Sequence, residues 1–202
     1  MVFLSSMLLL TWELSVPAGM EVPPVPAKPT GCAVGAEMPI FYVREVTGSR
    51  PNLAVCLVCR NGDRPVVMIS ARKIDQQVKR LIEAVDRTVD AHRADGLRGF
   101  AIFLAPQGKE LTELQAQVQT LARDRNLSIP LALPVESLTG PASLNIPTDV
   151  QTTVLLYVEK KIVSSNSFKS GELSQEKITQ IIQNAQSLVP PDATGLPRKT
   201  SR

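Results

Sequence analysis

Pro65-Val-Val-Met-Ile-Ser-Ala71 is a short apolar run rich in β-branched residues, and it decides the fold class. Such a run predicts a central strand that is buried on both faces of a sheet. The stretch that follows carries apolar residues at spacings of three and four, namely Ile74, Val78, Leu81, Ile82, Val85 and Val89. This spacing predicts one face of an amphipathic helix, which His92 and Gly96 close. Leu97–Ala105 then predicts a second apolar strand, so strands and helices alternate along the chain.

The second half of the chain continues this alternation and adds an antiparallel pair. The apolar spacing predicts a helix marked by Leu111, Leu114, Val118 and Leu121, a third strand at 129–133, strands at 152–158 and 162–168, and a last helix from an N-cap at Ser174 to Pro190. The third strand is bounded by prolines, which suits an edge strand or the end of a strand. Only three residues join the strands at 152–158 and 162–168, so these two strands must form a hairpin. The order predicts an α/β protein whose mixed sheet is covered on both faces.

Composition and charge exclude several classes of function. The chain has 202 residues, 22 basic and 19 acidic side chains, a net charge of +3 and 4% aromatic residues. There is neither the basic stripe nor the set of stacking aromatics that nucleic-acid binding requires. A chain of this length can bury a sufficient core without cross-links, so its three cysteines are not needed as structural staples.

The two ends of the chain differ in texture from the middle. An apolar run in residues 1–12 is too short to span a bilayer, and with Ala18-Gly19 behind it predicts a signal peptide at 1–19, although no basic residue opens it. We then expect a proline-rich linker at 20–33, one domain at 34–190 and a flexible basic tail at 191–202. The mature chain would be periplasmic or extracellular, without an integral membrane segment. Without a signal peptide the chain would be cytoplasmic.

Three segments resemble a known superfamily. Val34-Gly-Ala-Glu-Met-Pro-Ile-Phe-Tyr-Val-Arg-Glu-Val-Thr-Gly48 is similar to the opening motif of thioredoxin-like proteins, in the branch of peroxiredoxins and exported thiol reductases. Thr152-Thr-Val-Leu-Leu-Tyr-Val-Glu-Lys-Lys-Ile-Val163 is similar to their terminal hairpin. The stretch 56–68, with Ala71-Arg-Lys73 after it, resembles a little-characterised group of exported bacterial members. The resemblance implies a three-layer α/β/α sandwich with a mixed central sheet and a terminal β-hairpin plus helix.

The resemblance also implies redox chemistry, but two hallmarks of that chemistry are displaced. Active members carry a reactive cysteine just after the first central strand, where this chain reads Ile69-Ser-Ala-Arg-Lys73. They also place a cis-proline before the terminal hairpin, where this chain has Gln151 or Thr152, with Pro147 several residues too early. The candidate catalytic residues are therefore Cys56 and Cys59, which lie before the central strand.

The spacing of Cys56 and Cys59 permits two geometries. In an extended strand, residues three apart lie roughly 10 Å apart and face opposite sides, so no disulfide could form. In a helical or tight turn, the two sulfur atoms share a side and can pair. The following Asn61-Gly62 favours a turn, because this pair readily adopts positive φ. Arg60 and Arg64 would lower the pKa of a neighbouring thiol.

Several functions remain open for the pair. In the first, Cys56 attacks a disulfide or a peroxide and Cys59 resolves the mixed species, which makes the chain a thiol-disulfide oxidoreductase or a peroxide-related enzyme without a cofactor. Its partner would be a protein thiol or disulfide, or peroxide. In the second, the pair is a structural disulfide of a degenerate, non-catalytic binding or scaffold module. Two inert buried thiols, or a zinc site completed by Cys32 and His92, are the remaining alternatives.

Overall fold

The structure of the chain is a computed structural model that describes residues 32–104, 111–135 and 141–189. The predicted signal peptide at 1–19, all but the last two residues of the predicted linker at 20–33, and the predicted tail at 191–202 lie outside the described residues. No helix in the three described ranges is both long and apolar enough to cross a bilayer.

The described residues form one mixed sheet of seven strands with four α-helices and one 3-10 turn. The elements in chain order are β1 (Val43–Thr47), β2 (Ala54–Val55), α1 (Leu57–Asn61), β3 (Val66–Ala71), α2 (Gln76–Ala91), β4 (Arg98–Phe103), α3 (Leu111–Asp124), β5 (Leu131–Pro134), the 3-10 turn (Ala142–Leu144), β6 (Thr152–Val158), β7 (Lys161–Phe168) and α4 (Gln175–Ser187). The strand order is β2-β1-β5-β4-β3-β6-β7. The pairs β3–β4 and β4–β5 are parallel, and the other four pairs are antiparallel.

The predicted elements occur at the predicted places, and the structure decides between the two positions considered for the third strand. β6 has the predicted bounds, it forms the predicted hairpin with β7, and Ser174 is the N-cap of α4. The edge position considered for the third strand is wrong, because β5 lies between β1 and β4. Its prolines instead mark the strand's ends, since Pro130 precedes it and Pro134 is its last residue.

The sheet separates two apolar cores, because successive side chains of a strand point to opposite faces of the sheet. Val67 and Ile69 of β3 face the larger core, which α2, α3 and α4 cover. Val66 and Met68 face the smaller core, which is covered by α1, the 3-10 turn and the segment that contains Met38. Every residue of β3 is buried, as its continuous apolar sequence predicts. The predicted α/β class with a mixed sheet and a terminal hairpin plus helix is confirmed.

Gly99 lets α2 lie close to β4. A Cβ atom at this position would stand 2.9 Å from Cγ2 of Val89 and 3.4 Å from Cγ1 of Val85, both on α2. It would also stand 3.4 Å from the carbonyl oxygen of Val67 on β3, which cannot move without disturbing the sheet. The helix therefore approaches the sheet at a point where only glycine fits without rearrangement.

We predict that Gly99→Ala lowers the free energy of unfolding by about 1–3 kcal/mol, because the added methyl group overpacks the contact with Val89. Urea unfolding followed by circular dichroism measures the loss. Val89→Ala is the second arm of a double-mutant cycle, since it removes the clashing methyl group. The costs of the two substitutions should be less than additive, and strict additivity would contradict the close approach.

Candidate functional site

The two candidate cysteines lie on α1, a helix of five residues between β2 and β3. Cys56 is its N-cap, and the Sγ atom of Cys56 accepts a hydrogen bond of 3.0 Å from the backbone N–H of Cys59. The segment is thus helical rather than extended, and Cys56 and Cys59 form a disulfide with 5.3 Å between their Cα atoms. Gly62 ends the helix with φ at 60°, which is the positive φ expected for the Asn61-Gly62 turn.

The two cysteines differ in their access to solvent. Cys59 is exposed, whereas Cys56 is half-buried and packs against the smaller core. Between them, the buried side chains of Leu57 and Val58 anchor α1 to that core. Cys59 is therefore the more accessible residue of the pair.

An ion pair between a buried carboxylate and a half-buried arginine attaches α1 to β1. The side chain of Glu45 on β1 is 0% exposed, and its Oε1 atom accepts a hydrogen bond from Nη2 of Arg60 on α1. Its Oε2 atom accepts a hydrogen bond of 2.8 Å from the backbone N–H of Arg50. Nη1 of Arg60 also donates to Oγ of Ser49 at 3.2 Å. Arg60, which the sequence suggested as a partner for a thiolate, thus has its guanidinium bonded to a carboxylate and a hydroxyl.

Glu45 is the site residue that the sequence analysis missed. It follows Val43 by two positions, so it lies on the same inward face of β1, and it is buried there. A carboxylate at an apolar position of an alternating strand was the available signal. Because a buried charge requires a partner, that signal implies a basic residue nearby, although it does not say which one.

Arg72 directly follows β3, within the stretch where the resemblance implies a reactive cysteine. Its Nε atom donates to the carbonyl oxygen of Val150 at 3.0 Å, and its Nη2 atom donates to that of Ile146 at 3.3 Å. Its backbone N–H donates to the carbonyl oxygen of Gln151 at 2.9 Å. Burial lowers the pKa of Arg72 from its ordinary value. The arginine therefore ties the end of β3 to the loop before β6.

Gln151 is one of the two residues, with Thr152, at which the resemblance implies a cis-proline. Its Nε2 atom donates to Oδ2 of Asp75, whose Oδ1 atom accepts a hydrogen bond of 2.9 Å from the backbone N–H of Val78. Asp75 is thus the N-cap of α2 and the partner of Gln151 at the same time. None of the peptide bonds in the described ranges is cis. Through this side chain, the residue before β6 is linked to the start of α2.

Cys32 and His92 do not join the cysteine pair. The Sγ–H group of Cys32 donates to the carbonyl oxygen of Leu144 at 3.0 Å, and burial raises the pKa of the Cys32 thiol. His92 is the C-cap of α2, and its Nδ1 atom lies 3.1 Å from Oδ2 of Asp95. In the part of the chain that the structure describes, no three His, Cys, Asp or Glu side chains converge as a metal site would require. The four-ligand zinc site considered from the sequence is therefore not assembled.

We predict that Arg60→Met lowers the free energy of unfolding by about 2–3 kcal/mol, because it leaves the Glu45 carboxylate buried without its cationic partner. Chemical unfolding of the oxidised protein measures the loss. Arg80→Met is the matched control, since Arg80 is an exposed arginine on α2 and its loss should change stability by less than about 0.5 kcal/mol. Equal effects of the two substitutions would show that the ion pair does not stabilise the fold.

Comparison with known proteins yields likenesses of structure only. No protein-family profile matches the chain, and no curated protein matches it. A thiol:disulfide interchange protein from Bacteroides sp. superposes with a TM-score of 0.58 at 14% identity, over 82% of this chain and 95% of its own. The reduced 2-Cys peroxiredoxin of Plasmodium vivax superposes with a TM-score of 0.54 at 17% identity, over 76% of this chain and 82% of its own. The yeast mitochondrial 1-Cys peroxiredoxin superposes with a TM-score of 0.55 at 10% identity, over 77% of this chain and 76% of its own.

Proposed function

We propose that this chain, which has the thioredoxin-like fold, exchanges its Cys56–Cys59 disulfide with thiols of a partner protein. The observation that carries the proposal is the exposure of Cys59 within a disulfide that spans only one helical turn. Fold alone does not supply a function, and the proposal therefore rests on this pair rather than on the likeness. A structural neighbour is a thiol:disulfide interchange protein, so the fold is compatible with this chemistry.

The exchange begins at Cys59, the exposed residue of the pair. A partner thiolate attacks Sγ of Cys59, the Cys56–Cys59 bond breaks, and Cys56 leaves as a thiolate that takes up a proton. A second partner thiolate then attacks the partner's sulfur atom in the mixed disulfide and releases Cys59. In balance, two partner thiols become one disulfide while the protein gains two thiols. The reverse direction uses the same sulfur atoms in the opposite order.

The hydrogen bond within α1 supports the leaving role of Cys56. The backbone N–H of Cys59 points at Sγ of Cys56, and a hydrogen bond to the charged form of a group stabilises that form. This arrangement favours departure of Cys56 as a thiolate. Cys59 is then the nucleophile of the reverse reaction, which exchanges the roles that the sequence suggested for the two residues.

The predicted export of the chain would suit this exchange, since disulfides persist in oxidising compartments. The finer activity, whether oxidation of partner thiols or reduction of partner disulfides, depends on the redox balance of that compartment. No step of the proposed exchange uses a cofactor.

A second function is favoured by a specific observation, namely the position of Arg72. Because the residue after β3 ties two segments together through its guanidinium, the usual redox position of this fold has become structural. The Cys56–Cys59 bond would then be a staple that holds α1 in a non-catalytic binding module. The two functions differ in how readily the disulfide is reduced.

We predict that the Cys56–Cys59 disulfide has a reduction potential above roughly −250 mV, because exposed disulfides exchange readily. Structural disulfides, in contrast, typically have reduction potentials below about −300 mV. Thiol alkylation and mass spectrometry across a series of glutathione and dithiothreitol buffers measure the potential. The experiment uses a Cys32→Ser background, so that only the pair is counted. A potential below about −300 mV would favour the structural staple and reject the exchange.

We predict that Cys59 forms mixed disulfides about tenfold faster than Cys56, because reactivity follows access to the thiol. Two variants in the Cys32→Ser background isolate the thiols, with Cys56→Ser leaving Cys59 and Cys59→Ser leaving Cys56. Stopped-flow absorbance follows their reaction with an aromatic disulfide at neutral pH. Faster reaction of Cys56 would return the nucleophile's role to that residue, as the sequence first suggested.

A further inference from the structure

A cleft with four arginines opens where the parallel strands begin. Its volume is about 460 Å³, which falls in the range of small-molecule sites. The arginines come from different parts of the chain: Arg60 from α1, Arg64 from the turn before β3, Arg93 from the residues after α2 and Arg98 from the start of β4. They meet because β3 and β4 are parallel and begin at the same end of the sheet. α2 connects these two strands and brings the chain back to that end.

Two of the four guanidinium groups have acidic partners. Arg60 is paired with the buried Glu45, and the Nε atom of Arg93 lies 3.5 Å from Oδ1 of Asp90 at the surface. In the described ranges, Arg64 and Arg98 form no ion pair with a carboxylate. Among the described residues, Arg64 and Arg98 therefore bring positive charge to the cleft without a directly paired carboxylate.

Residues 127–130 also line the cleft, and the carboxylate of Asp86 on α2 is hydrogen-bonded to this segment. Oδ1 of Asp86 accepts hydrogen bonds from the backbone N–H groups of Ser128 and Ile129, at 2.8 Å each, and from the hydroxyl of Ser128 at 2.9 Å. The same hydroxyl oxygen accepts a hydrogen bond of 3.2 Å from Nη2 of Arg93. Asp86 thus holds the segment that lines the cleft, and with it the position of the Arg93 side chain.

Arg98 is held in place by the backbone. Its Nη1 atom donates to the carbonyl oxygens of Arg93 at 2.9 Å and of Leu97 at 2.8 Å. Burial, and then the positive charges of Arg64 and Arg93, lower the pKa of Arg98. Arg64 and Arg93 are therefore each close enough to Arg98 to repel its positive charge, and an anion bound beside Arg98 would relieve that repulsion.

We propose that the convergence of Arg64, Arg93 and Arg98 in this cleft forms a binding site for a small organic molecule that carries at least two oxyanion groups. Guanidinium groups present planar pairs of donors that match phosphate and carboxylate oxygens, so either group could supply the shared chemistry. The volume exceeds what a single inorganic ion needs. The site goes beyond the disulfide exchange, no step of which uses it.

Isothermal titration calorimetry of the oxidised protein at low ionic strength tests the site, with pyrophosphate as the phosphate probe and citrate as the carboxylate probe. We expect at least one probe to bind, and the stronger of the two identifies the anionic group. Arg64→Gln and Arg98→Gln should each weaken binding about tenfold, since a charge-assisted hydrogen bond is lost. Arg80→Gln removes the same charge from the other end of α2 and should leave the affinity unchanged.

Three outcomes would overturn the proposal. The first is the absence of binding of both probes at millimolar concentration, and the second is equal weakening by Arg80→Gln, which would show attraction to net charge alone. The third is unchanged affinity in Arg64→Gln. Because Arg64 is exposed, this variant should fold normally, and it keeps the test decisive if Arg98→Gln is unstable.

Discussion

The ion pair between the buried Glu45 carboxylate and Arg60 is the constraint on which the geometry of the cysteine pair depends. Removing the Glu45 carboxylate from water is costly, and the guanidinium of Arg60 with the backbone of Arg50 compensates by direct hydrogen bonds. Arg60 directly follows Cys59 on a helix too short to be stable alone. The ion pair and the buried side chains of Leu57 and Val58 therefore position the disulfide from two sides.

The chain combines a common architecture with an unusual placement of its cysteines. In the place that follows β3, Arg72 donates hydrogen bonds to the loop before β6, and Gln151 is bonded to Asp75. The cysteines lie one element earlier, ahead of β3. The thioredoxin-like fold thus carries its candidate chemistry outside the customary position, and the arginine cleft lies at the amino ends of the parallel strands rather than at their carboxyl ends. This distribution follows the general rule that function belongs to sites rather than to folds.

The sequence predicted long periodic elements well and short ones poorly. The helix α2 and the hairpin of β6 and β7 have nearly the predicted bounds. Their burial follows directly from the local spacing of apolar residues. β2 and α1 have two and five residues, and so short a stretch carries no readable period. The prolines around β5 left open whether it was an edge strand, because prolines at a strand's ends do not reveal which strands will pair with it.

By itself, the sequence determined the order of strands and helices from β3 onward, the two covered faces of the sheet and the spacing that allows Cys56 and Cys59 to pair. It left open whether that stretch was extended or helical, and tertiary structure decided this by anchoring α1 to the smaller core and to Glu45. Tertiary structure alone also brought Arg64, Arg93 and Arg98 into one cleft. The physical reason is the distance along the chain over which each signal acts. Apolar periodicity reports burial within a single element, whereas contact between side chains from distant elements depends on how those elements pack and on which charges then pair.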